Sequence, residues 1–115
     1  MNYWPYQKLI VWQKAMDLTQ ETYKLVRLLP AEERYGLSDQ MRRAAVSVPS
    51  NIAEGHGRHT EKEFKQFLSI AKGSVFELET QFLICTRTQI FTPEQIEKAL
   101  SLCKEVGRML SKMIE

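Results

Sequence analysis

Between Phe64 and Cys85 an apolar side chain recurs at steps of 4, 3, 4, 3, 4 and 3, through Phe64, Leu68, Ala71, Val75, Leu78, Phe82 and Cys85. Three unbroken heptads fit one long α-helix with a single continuous buried stripe. Thr60-Glu61-Lys62-Glu63 supplies the start, a hydroxyl at the N-cap and a carboxylate three residues on. A helix over residues 61–88 would be about 42 Å long at 1.5 Å per residue. A rod of that length cannot bury its stripe alone, so the rest of the chain has to supply its partners.

The remaining segments read as helices of the same kind. Over residues 9–29 one stripe runs through Trp12, Met16, Tyr23 and Val26, and a second through Val11, Ala15, Leu18, Leu25 and Leu29. Pro30 stops this helix and residues 31–36 form a loop. Ser38 is an N-cap type with Asp39 behind it, and the following inward stripe is Met41, Ala44, Ala45, Val48 and Ile52. Pro49 falls inside that pattern, removing one backbone donor and predicting a kink; Gly55-His56-Gly57 ends the helix. Thr92-Pro93-Glu94-Gln95 is a further start signal, followed by Ile96, Leu100, Cys103, Gly107, Leu110 and Ile114 and a parallel stripe of Ala99, Leu102, Val106, Met109 and Met113. No segment sustains strand alternation. The expected fold is all-α, an antiparallel up-down four-helix bundle forming one domain over residues 1–115.

Several classes are excluded by composition. Sixteen Lys and Arg against 14 Asp and Glu leave a charge of +2, far from a histone-like excess. A hydrophobic share of 43% is too high for a disordered chain. No run of 18 apolar residues exists to span a membrane, and Met1-Asn2-Tyr3-Trp4-Pro5-Tyr6 lacks the basic-then-apolar pattern of an export signal. The expected location is cytoplasmic, with Cys85 and Cys103 as free thiols.

The apolar faces exceed what one bundle needs. A bundle helix requires roughly a 100° arc, whereas the first and fourth helices each present about 180°. The third adds Phe76, Leu83 and Ile84 well away from its heptad stripe. Left in water, these residues would form a patch that monomers rarely carry. The expectation is a ring-shaped homo-oligomer, its interface drawn from Phe76, Leu83, Ile84, Leu102, Val106, Met109 and Met113.

Candidate chemistry concentrates on the third helix. Arg58, Lys62, Lys65, Ser69 and Lys72 fall on one line at steps of 4, 3, 4 and 3, continued by Phe76, Glu79 and Leu83. One end is basic and the other apolar, and a ring would repeat the basic end around its axis, with Arg42 and Arg43 adding to it. The nucleic-acid-binding candidates are therefore Arg42, Arg43, Arg58, Lys62, Lys65 and Lys72, reading phosphates and shape rather than bases. His56 and His59 with Glu54 and Glu63 lack the spacing of a metal site. Cys85 and Cys103 lie about 9 Å out of register across their connecting turn, beyond disulfide reach. No nucleophile sits in a recognisable setting with a base, so neither catalysis nor a cofactor is expected.

Gln40, Arg43, Ser47, Asn51 and Glu54 project from one side of the second helix. Ser, Asn and a central Pro are poor helix formers. Either they build a hydrogen-bonded network across a subunit contact or a ligand surface, or they repair the carbonyls that Pro49 leaves free.

The run Gln40-Met41-Arg42-Arg43-Ala44-Ala45-Val46-Ser47-Val48-Pro49-Ser50-Asn51-Ile52-Ala53-Glu54-Gly55 resembles the four-helix 23S rRNA intervening-sequence proteins. So do Leu9-Ile10-Val11-Trp12-Gln13-Lys14-Ala15, Pro30-Ala31-Glu32-Glu33-Arg34-Tyr35-Gly36-Leu37, Lys62-Glu63-Phe64 and Phe67-Leu68-Ser69-Ile70-Ala71. The resemblance implies a bacterial, cytosolic, all-α protein assembling as a ring of five, with an undefined biochemical role. Thr92-Pro93-Glu94-Gln95 and Glu105-Val106-Gly107-Arg108-Met109-Leu110 are also similar to a related branch. That branch comprises the accessory variability determinants of diversity-generating retroelements, which bind a reverse transcriptase and its template RNA. The expected function is a non-enzymatic homopentameric scaffold associated with structured RNA or a ribonucleoprotein. The alternatives are a reverse-transcriptase accessory protein and a protein-only interaction scaffold.

Overall fold

Apolar periodicity becomes four helices in the computed structural model, which describes residues 4–115. Residues 1–3, part of the stretch read for an export signal, lie outside the described residues. After a 3-10 turn at Pro5–Lys8 come α1 (Ile10–Val26), a second 3-10 turn at Ala31–Glu33, α2 (Leu37–His56), α3 (Glu61–Arg87) and α4 (Glu97–Ile114). There is no strand among the described residues, and no helix is long and apolar enough to cross a membrane.

Each helix packs on two neighbours, in the cycle α1–α2–α3–α4–α1, and not on the one diagonally opposite. Cross-links set the directions. Lys14 reaches Glu105 at 3.2 Å while Lys98 lies 3.9 Å from Glu21, so α1 and α4 run opposite ways. Ser74 donates to Ser47 while Phe67 abuts Gly55, reversing α2 against α3. Lys65 donates to the Glu115 backbone oxygen while Val75 faces Gly107, reversing α3 against α4. Closing the cycle makes α1 and α2 antiparallel as well.

The core is where the periodicity puts it. Val11, Ala15, Leu18, Leu25 and Leu29 are buried, as are Met41, Ala44, Ala45, Val48 and Ile52, and the α3 heptads from Leu68 to Cys85. Phe64, at the open end, packs against this core half-buried. Each such aliphatic or aromatic side chain withdrawn from water contributes about 1.5–3 kcal/mol.

Element ends differ from the sequence reading. Helical geometry in α1 stops at Val26, and the last residues before Pro30 follow as a turn. Ser38 is not a cap: α2 starts one residue earlier from Gly36, and Ser38 is buried in its first turn. Thr60 caps α3 as expected, its hydroxyl accepting from the Glu63 N–H. Reciprocal bonds also form between Thr92 and Gln95, but they enclose a single turn and α4 begins at Glu97. Phe91 and Ile96 are both drawn into the core there, and Ile96 leaves helical geometry.

The surplus on α4 is corrected by its position. Because α4 lies between α1 and α3, both of its apolar stripes are used inside the bundle. Ala99 and Val106 are fully buried, and Leu102, Met109 and Met113 are half-buried against the core. Val106 therefore has no surface to offer another copy. Among the described residues, the large apolar side chains that stay exposed are Ile10, Met16 and Tyr23 of α1, Val46 of α2, Trp4, Leu28 and Tyr35 outside the α-helices, and Ile70, Phe76, Leu83 and Ile84 of α3, the last four each about half exposed.

Candidate nucleic-acid interface

The unusual residues of α2 are used within the chain. Pro49 has no N–H, so the Ala45 carbonyl four residues back loses its helical donor. The Thr19 hydroxyl of α1 reaches that carbonyl, sharing its one proton between the Ala45 oxygen at 3.1 Å and the Ala15 oxygen of its own helix at 2.9 Å. The repair comes from a neighbouring helix rather than from nearby Ser or Asn. Asn51 donates to the Ser47 carbonyl and hydroxyl at 2.8 and 2.9 Å, and the Ser74 hydroxyl of α3 donates to Ser47 at 2.9 Å. Ser47, and Asn51 through it, thus face α3 of the same chain, while Gln40, Arg43 and Glu54 stay exposed. Glu54 is held by Arg58 and Arg43 by Asp39, both at 3.1 Å. Gly55 completes the seam, since a Cβ there would lie 2.5 Å from Phe67 Cβ. In this seam Gln81 Oε1 alone is buried without a hydrogen-bond partner.

The six basic candidates do not converge. The Ser47–Ser74 register puts Arg42 and Arg43 beside the C-terminal half of α3, at the opposite end from Lys62 and Lys65. Antiparallel packing therefore removes them from the basic cluster. Arg58 sits before α3, ion-paired to Glu54 and 4.8 Å over the Phe67 ring. Lys65 is shared between Glu61 at 3.9 Å and the Glu115 oxygen at 3.2 Å. Lys72 reaches over the Phe76 ring at 5.7 Å.

What α3 loses in basic partners it regains from α4. Lys104, Arg108 and Lys112 recur every fourth residue along α4, facing solvent beside α3. None has an ion-pair partner among the described residues. They border a groove of about 510 Å³ whose α3 wall is Val75, Phe76 and Glu79, with Cys103, Gly107 and Ser111 on the α4 side and Glu115 at its end. The sequence carried this signal as a four-residue repeat. It was missed because the same segment is dominated by two apolar stripes. The basic residues thus lie on two adjacent helices, Lys62, Lys65 and Lys72 on α3 and Lys104, Arg108 and Lys112 on α4, joined where Lys65 meets the Glu115 oxygen.

The other titratable groups are dispersed. His56 packs edge-on against Phe64, ring centres 5.5 Å apart, and Glu63 accepts from the Thr60 hydroxyl. No group of three potential metal-ligating side chains comes together among the described residues. Burial, with Glu79 adding to it, pushes the Cys103 thiol up to about 12; burial and Glu33 raise Cys85. Both thiols stay protonated and poorly nucleophilic near neutral pH.

A family model described as 23S rRNA-intervening sequence protein matches residues 7–112. No curated protein matches. Among solved structures, the chain is similar to a protein of unknown function from the S23 ribosomal protein family of Bacteroides thetaiotaomicron. The two share 25% identity over 92% of this chain and 99% of that one, with a TM-score of 0.86.

Proposed function

The chain belongs to the 23S rRNA-intervening sequence protein family, and from that premise we propose a non-enzymatic, self-associating scaffold that docks on structured RNA or a ribonucleoprotein in the cytoplasm. The single observation carrying this reading is the division of α3. Its N-terminal half presents Lys62, Lys65 and Lys72, continued by the α4 cations, with Ile70 the one exposed large apolar side chain among them, and its C-terminal half presents Leu83 and Ile84 about half exposed. Apolar side chains held in water at that density are stabilised by covering them with a second copy. A closed ring of five, as the family resemblance implies, repeats the basic face and turns +2 per chain into a concentrated potential.

Two measurements test it. Light scattering at micromolar concentration is expected to give five times the chain mass, and a monomer overturns the assembly. Affinity for a structured RNA is expected to fall linearly on a log–log plot against salt, as counterions leave the phosphates. An affinity flat with salt removes the phosphate contacts. An assembly with no RNA affinity favours the protein-only scaffold.

A further inference from the structure

Gly107 is a buried glycine in the middle of α4, a position where glycine costs about 0.5–1 kcal/mol relative to alanine. The bundle does not require it. A Cβ there would lie 3.8 Å from Val75 Cγ1 and 4.0 Å from Phe76 Cε1, ordinary contact distances. The missing methyl leaves a shallow dimple, about one methyl deep, in the floor of the α3–α4 groove.

The groove has an ordered chemistry. Phe76, 52% exposed, presents a ring beside the recess, with Lys72 Nζ 5.7 Å from the ring centre as a cation that an incoming base would displace or share the ring with. Lys104, Arg108 and Lys112 stand on the rim, successive cations about 6 Å apart along the axis at 1.5 Å per residue. Glu79 lies on the inner wall. The Glu79 carboxylate on the α3 wall and Glu115 at the Lys112 end disfavour phosphate there, so phosphates are held along the Lys104 and Arg108 stretch of the edge. The groove above Gly107 is left for something flat, apolar on its faces and bearing N–H groups at its edge.

We propose that this groove binds a single-stranded segment of RNA, one base stacked on Phe76 over Gly107, its flanking phosphates on Lys104 and Arg108. Glu79 accepts from the amino edge of that base, favouring bases that carry an exocyclic amine. A duplex keeps its bases stacked within and offers the groove only phosphates, so it gains nothing from the recess. This deepens the RNA reading above and rests on it.

The test is binding of a fluorescent 12-nucleotide single-stranded RNA and of the same strand in a duplex, each across a salt series. The single strand is expected to bind about tenfold more tightly, and Phe76→Ala to remove most of that preference, as loss of base–aromatic stacking does. Phe76→Leu, which keeps the bulk without the ring face, repeats the measurement where the alanine variant folds poorly. Arg108→Gln is expected to lower the salt slope by about one. Equal affinity for single strand and duplex, unchanged in Phe76→Ala, overturns the groove and leaves the RNA reading standing. No RNA binding at low salt removes the RNA reading, and the groove with it. A Phe76→Leu or Gly107→Ala protein that folds but loses assembled mass assigns the groove to a second copy and overturns the proposal.

Discussion

Gly55 and Gly107 are both buried helical glycines, and they are there for opposite reasons. At Gly55 the backbones of α2 and α3 approach so closely that a Cβ would overlap Phe67 Cβ at 2.5 Å. At Gly107 the same atom would meet its neighbours no nearer than 3.8 Å. The first glycine is explained by the fold, as are Ser47, Asn51 and Pro49 around it. The second is not, and it lies in the groove where the unpaired cations of α4 gather. A helix-weakening residue that packing does not need points toward something outside the packing. The Ser47–Asn51 part of the α2 motif is used within the bundle, while α4, which looks like plain core in sequence, borders the open groove.

The largest expected effect tests the closed side of this contrast. Gly55→Ala is expected to destabilise by about 2–3 kcal/mol despite alanine's better helix propensity, because the atom in the way is a Cβ anchored to backbone. The readout is a lower urea midpoint at unchanged slope. A variant as stable as the parent would show that α2 and α3 separate freely. Thr19→Val comes next, at about 1–2 kcal/mol, since it strands the Ala45 carbonyl in a buried setting. Pairing it with Pro49→Ala is diagnostic: alanine restores the helical N–H, so the Thr19→Val penalty should shrink in the double variant. Additive penalties would mean that Thr19 does not serve that carbonyl.

The limits of sequence reading follow the same line. Buried stripes were legible because 3.6-residue periodicity is a property of one helix, and Met41 to Ile52 and Leu68 to Cys85 are all core. The fate of a second stripe depends on neighbours. Val106 and Met109 look like spare surface on an isolated helix and are needed on one wedged between α1 and α3. Ends were lost for a similar reason, since the Thr92–Gln95 bonds form but burial of Phe91 and Ile96 delays the helix. At the candidate site, Lys62, Lys65 and Lys72 could be read from their line on α3. Their partners Lys104, Arg108 and Lys112 required the antiparallel register of α4, and the same register sends Arg42 and Arg43 to the other end.

A third backbone position sharpens the comparison from the other side, a place where glycine is favoured and absent. Gln89 has φ 62°, the left-handed position just past the end of α3. The Ile90 N–H bonds the Cys85 carbonyl and the Gln89 N–H that of Thr86, the double closure that usually takes glycine. Gln89→Gly is expected to stabilise by about 1 kcal/mol, read as a raised Tm. No gain would mean that side-chain packing at this turn offsets the backbone cost.

Gly107→Ala carries the smallest change in stability and the most information. If the recess is spare room, alanine gains about 0.5–1 kcal/mol of helix propensity and the protein becomes more stable, opposite in sign to Gly55→Ala. If the groove above Gly107 receives a base, the same methyl narrows it, and affinity for single-stranded RNA falls while duplex affinity and salt slope stay as they were. Stability and binding then move in opposite directions from one added carbon, a signature that a damaged fold does not give. A destabilised Gly107→Ala protein would place Gly107 with Gly55 among the glycines the packing requires, and the contrast between the two seams would be gone.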